Sequence, residues 1–143
     1  MRNAVLILML SAGPGVGLTA GPAHADPPVL SVQLNGAEDR DGTCRLTFVA
    51  ENRLGADLSA LVLEAVVFTP AGHVDRLALL DFQTLPQARP RVRQFDLPGL
   101  SCDGVGQVLI NAATPCTGEG LDPSVCIGGL RLSSRVDGME ISG

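Results

Sequence analysis

The sequence has no lysine, tryptophan or tyrosine, and only two histidines among 143 residues. Each shortage removes a chemistry. Without lysine there is neither a Schiff-base amine nor a lysine general base. Without tryptophan and tyrosine the stacking platforms that hold single-stranded nucleic acid or sugar rings are depleted. All ten cations are arginine, and the plain explanation is a codon bias towards Ala, Gly, Pro and Arg. Fifteen acids outnumber them, so the net charge is −5 and the isoelectric point near 4.8. A chain this acidic is not expected to bind nucleic acid or anionic lipid through its overall field.

Catalytic machinery is equally sparse. His73, in the turn Pro70-Ala71-Gly72-His73, has only acids such as Asp75 for company, enough for a dyad but not for a triad or a two-histidine metal site. The expected role is a solvated turn residue. Ser59, Ser101, Ser124, Ser133, Ser134 and Ser142 lack the Gly-x-Ser-x-Gly elbow. A non-enzymatic protein without cofactor or metal is therefore expected.

What is present begins at the N-terminus. Arg2 and Asn3 precede an apolar run from Ala4 to Leu10, and Ala23-His24-Ala25 stands before Asp26. A charged start, an apolar stretch too short to span a bilayer and a small-x-small exit predict a cleaved signal peptide over residues 1–25. The mature chain, residues 26–143, then has 118 residues, enough for one domain and one core. Cleavage removes one arginine and no acid, leaving nine cations against fifteen acids, a net charge of −6. No later apolar run approaches a membrane span, and no cysteine at the cleavage point could take a lipid. A soluble periplasmic or secreted protein is expected. In that setting the four cysteines read as disulfides.

Val29 to Asn35 alternates, with Leu30, Val32 and Leu34 on one face. Cys44 to Asn52 alternates in the same way, and Asp41-Gly42 between them is a favoured hairpin turn. Leu58 to Phe68 has helix length, but its β-branched and aromatic content predicts a strand. It is expected to form a hairpin with Val74 to Phe82, in which Val74, Arg76, Ala78, Leu80 and Phe82 share a side. Arg91 to Leu97 and Val105 to Ala112 complete six strands, and Leu130, Leu132 and Val136 offer a seventh or a packed tail. The expected fold is all-β: an antiparallel immunoglobulin-like sandwich with a disulfide-closed C-terminal loop.

If strands alternate in direction, Cys44 and Cys102 meet at one end and Cys116 lies past the far end of the last strong strand. Eight extended residues cover about 26 Å, whereas bridged Cα atoms lie about 4.4 to 6.8 Å apart. Pairings of Cys44 with Cys102 and of Cys116 with Cys126 follow. A four-thiolate zinc site would need close-spaced pairs such as Cys-x-x-Cys, which the sequence lacks.

Three surface features invite a functional reading. Asp39-Arg40-Asp41-Gly42 has the look of a calcium loop, but the register would put ligands at Ala37 and Phe48, which favours a plain hairpin turn. Glu64, in an otherwise apolar strand, is either a functional carboxylate or a residue facing water. Arg89-Pro90-Arg91-Val92-Arg93 is the one concentration of positive charge. Arg91 and Arg93 share a strand face and could fork onto a partner's carboxylate or phosphate. The alternative is an edge strand guarded by charge and by Pro90. Arg89, Arg91 and Arg93 are the expected partner-binding residues.

The stretch from Cys44 to Asn111 contains Asn52-Arg53-Leu54-Gly55-Ala56-Asp57-Leu58, the Val66 to His73 turn and Arg91-Val92-Arg93-Gln94-Phe95-Asp96-Leu97. It resembles small uncharacterised secreted proteins of alphaproteobacteria, often labelled Tat pathway signal sequence domain proteins. The resemblance implies export and carries no activity to transfer. The leader departs from that label in having a single Arg2 and no arginine pair, which points to general secretion. The late Phe-Asp-Leu and the Phe before a Gly turn also look like immunoglobulin-like add-on domains of envelope proteins, which bind or space. A non-catalytic module contacting an envelope or extracellular protein is the expected function. The rival expectation is a small ligand carrier or enzyme with a cavity between its sheets.

Overall fold

The computed structural model describes Gly21 and residues 24–143, so the leader expected at residues 1–25 lies almost wholly outside the described residues. Strands β1 (Val29–Arg40) and β2 (Thr43–Arg53) form the first hairpin, and β3 (Leu58–Phe68) and β4 (Val74–Leu85) the second. They are followed by β5 (Arg91–Pro98), β6 (Gln107–Gly118), a single helical turn α1 (Val125–Gly128), β7 (Leu130–Ser134) and β8 (Glu140–Ser142). One sheet has the order β5-β2-β1-β7 and the other β4-β3-β6-β8, packed as a β-sandwich. The interior of each sheet is antiparallel. The last strands differ, for β7 joins β1 and β8 joins β6 in parallel.

The alternation dictates this packing. Leu30, Val32 and Leu34 of β1 and Leu46, Phe48 and Ala50 of β2 are buried. They face Leu61, Leu63, Ala65 and Val67 of β3, Leu80 and Phe82 of β4, and Val108 and Ile110 of β6. Phe48, Phe82 and Phe95 stack with centroids 5.3–6.0 Å apart, filling the space where β4 and β5 flank the core. The first turn is as expected: Asp41 and Gly42 both take positive φ, 48° and 76°, as a two-residue type I′ turn requires.

Two staples close the ends. Cys44 bonds Cys102 with Cα atoms 4.8 Å apart, tying β2 to the segment that enters β6, and Cys116 bonds Cys126 across 6.2 Å, tying β6 to α1. Both pairings match expectation. Cys116 itself lies within β6 and not beyond it, because the strand continues through Pro115. Proline cannot donate to a ladder, and the pairing with β3 shifts there, from Leu63–Ala113 to Leu61–Cys116.

Asn52 is the buried polar side chain among the described residues. Its Nδ2 donates to Ala56 O at 2.8 Å and Leu85 O at 2.9 Å, and its Oδ1 accepts from Leu54 N–H at 2.9 Å. One side chain thereby joins the end of β2 to the following turn and to the end of β4 in the opposite sheet.

Candidate functional site

The arginine strip is not a free cluster. Arg89 is exposed in the loop before β5, but Arg91 and Arg93 point along the core-side face of that strand, in line with Phe95 and Leu97. Arg93 Nε donates to Phe82 O at 3.0 Å and its Nη2 to Thr84 O at 3.3 Å. These carbonyls flank Gln83, whose φ of 59° marks an irregularity in β4. Arg93 therefore caps the backbone of a neighbouring edge strand, and Arg91 Nη1 donates to Pro90 O at 3.1 Å.

The outer face of the first sheet is finished with polar pairs. Arg45 makes a two-pronged contact with Asp96 across the β2–β5 ladder, at 2.7 and 2.8 Å. Arg40 pairs with Glu38 at 3.1 Å and Arg53 with Glu51 at 2.6 Å. Gln94 Nε2 donates to Thr47 Oγ1 at 3.1 Å, and Val49–Val92 is the apolar exception. The hydrogen bonds from Arg45 hold the Asp96 carboxyl below the usual carboxylate range, against the partial desolvation that acts the other way. The N–H and hydroxyl of Ser124 do the same for Asp122 near α1.

The outer face of the second sheet is built differently. Val74, Leu77 and Leu79 on β4 are 56%, 66% and 71% exposed. They sit across the ladder from half-buried Phe68, Val66 and Glu64, while Asp81 faces Val62. Leu109 of β6 flanks Val66 on its other side. Near the middle, Glu64 accepts a hydrogen bond from Asn111 Nδ2 at 2.7 Å. Among the described residues the acids on this face are Glu64, Asp81 and, at the β8 margin, Glu140, and no arginine lies on it. Glu64 stands out in the sequence, whereas Leu77 and Leu79 do not. The available signal was the run Leu77-Ala78-Leu79-Leu80, apolar on both sides, which reads as a strand covered on both faces. Here one of those faces has no cover among the described residues.

Clefts lie at the rims. One, about 730 Å³, is lined by Thr69, Pro70, Gln107, Ser134, Asp137 and Glu140 at the end that carries the β3–β4 turn. A second, about 450 Å³, lies at the opposite end between Asp26, Pro27, Arg53 and Gln87. Between the sheets the space is occupied by the apolar side chains and the phenylalanine trio already described. His73 is exposed on the turn, where its N–H donates to Thr69 Oγ1 at 3.2 Å. Asp39 accepts from Cys102 N–H at 2.7 Å, which gives this carboxylate a structural role beside the staple. All four cysteines are in disulfides.

No family model matches the sequence, and no curated protein matches it. Among solved structures, the chain is similar to one described as the structural characterization of IrmA from Escherichia coli. The TM-score is 0.57 and the identity 14%, over 73% of this chain and 91% of that one. Likeness at this level concerns the fold alone.

Proposed function

We propose that this chain is an exported, non-catalytic interaction module whose contact surface is the outer face of β3, β4 and β6. The carrying observation is the exposure of Val74, Leu77 and Leu79 on a domain whose opposite face is closed by polar pairs. Together these three side chains expose on the order of 300 Å², the size at which apolar patches on monomers are often functional. Burying that area is worth about 7 kcal/mol at ~25 cal/mol/Å², within the roughly 4 to 15 kcal/mol that association itself costs. The patch is thus a hot spot that needs polar supplements, suited to a partner protein and too small to bind alone.

Two disulfides fit an oxidising compartment, and no helix among the described residues is long and apolar enough to cross a membrane. Those features, with the leader, support a periplasmic or secreted address and accord with the resemblance to small secreted alphaproteobacterial proteins.

Two measurements test this reading. Residues 1–25 fused to a reporter active only after export should give signal. A photo-cross-linking residue at Leu79 should yield a discrete adduct that a probe at Gln94, on the other face, does not. The same adducts from both positions, or none from Leu79, would refute the docking face.

A further inference from the structure

Resting on that docking face, we infer that its occupant is a cationic amphipathic segment of a partner protein, with apolar side chains on Leu77, Leu79 and Val66 and an arginine or lysine reaching Glu64. Charge selects this occupant. On the first sheet Arg40, Arg45 and Arg53 each find an acid on their own face. On the second sheet Glu64, Asp81 and Glu140 have no cation on theirs among the described residues. Asp75, at the start of β4, is already paired with Arg76 at 2.6 Å. The carboxylates of the apolar face therefore await a countercharge from outside.

Glu64 decides the matter because of where it sits. Its ladder neighbours are Leu79 and Ala112, and one oxygen is taken by Asn111 at 2.7 Å. A purely apolar occupant would strip water from the carboxylate and leave the charge unpaired, which is strongly unfavourable. An occupant with a cation among apolar side chains converts that penalty into a charge-assisted hydrogen bond in a partly dry site. A second copy of the chain laid on this face would bring Glu64, Asp81 and Glu140 against their own kind, and an anionic bilayer or a nucleic acid would meet the same repulsion. An extended strand that carries both leucine and arginine on its inward face is the simplest carrier, since its period of two matches the outward residues of β4.

The test uses the full chain, exported and purified under oxidising conditions, and three twelve-residue peptides of the repeat Leu-Ser-Xaa-Ser, with arginine, serine or glutamate at Xaa, so that leucine and the variable residue share one strand face. Calorimetry should show binding of the arginine peptide, binding of the serine peptide at least ten-fold weaker, and none of the glutamate peptide. Leu77→Ser with Leu79→Ser should weaken the arginine peptide thirty-fold or more, and Val92→Ser on the other face should not change it. Glu64→Gln, which keeps the shape and can still accept from Asn111, should cost three- to ten-fold for the arginine peptide alone. Equal affinity for the serine and arginine peptides would overturn the cationic partner while leaving the docking face standing. Arginine-peptide binding unmoved by the leucine changes would be general charge attraction and would overturn both. A dimer in sedimentation that Leu77→Ser dissolves would make a second copy the occupant and overturn the inference.

Discussion

On the outer face of the first sheet, Arg45 meets Asp96 and Thr47 meets Gln94; on the second, across a core about 10 Å thick, Val66 meets Leu77 and Glu64 meets Leu79. The inner faces of the two sheets follow one rule, an apolar residue at every second position, broken at the edge strand β5 by Arg91 and Arg93. Their outer faces part company because nothing in core formation constrains them. A strand folds as well with threonine outside as with leucine, so the outer residue is free to record what the surface meets. Water accounts for the first face, and the partner proposed above would account for the second.

The comparison is broken most severely by unlinking the sheets. Cys44→Ala with Cys102→Ala removes a loop constraint of 58 residues, worth about 4 kcal/mol on the chain-entropy estimate against a total stability of roughly 5 to 15. Denaturant melts should show that loss, and hydrogen exchange should show both faces losing protection together. Protection that survives on β3, β4 and β6 alone would mean that the faces belong to separate units.

A smaller effect sharpens the contrast between inside and outside on one strand. Leu80→Ala, at a buried position, should cost about 3 kcal/mol, whereas Leu79→Ala next to it, 71% exposed, should move stability by less than about 0.5 kcal/mol. Similar losses at both would show Leu79 to be part of the core. Next comes the joint between the sheets: Asn52→Ala strands Ala56 O, Leu85 O and Leu54 N–H, at about 2 kcal/mol, measurable as a lower urea midpoint with unchanged slope.

The smallest effect belongs to the polar face. The folded state holds the Asp96 carboxyl below its unfolded value, so its contribution is fully present above the unfolded value and fades as pH falls through the folded one. Melting temperature should therefore be slightly lower for Asp96→Asn than for the unaltered chain at neutral pH and fall less steeply in acid, the two profiles converging at low pH. Parallel acid profiles would remove Arg45–Asp96 from the account.

Much of this was legible in the residues. Alternation placed the inner faces of β1 and β2, Asp41-Gly42 fixed their turn, and strand direction alone was enough to pair the cysteines. What escaped has physical causes. Pro115 ended the expected strand at Ala112, because proline argues against a central strand; the register shift that accommodates it is a tertiary adjustment with no sequence period. The three residues of β8 are too few to carry a pattern. Arg91 and Arg93 do share a face as expected, but that face is the core side, a matter of which edge β5 occupies. Leu77 and Leu79 were hidden because an apolar run reads identically whether its second face is covered by protein or left open.

Both sheets wait for the tail of the chain. Leu130 of β7 lies against Leu30 of β1, so the two arrive a hundred residues apart during synthesis. At ~5 to 20 residues per second that interval is about 5 to 20 seconds, whereas a hairpin such as β1–β2 zips in roughly 1 to 10 μs. β1 and β2 can therefore pair long before β7 is there to seal their flank, and the edge of β1 stays open to other strands until the tail arrives.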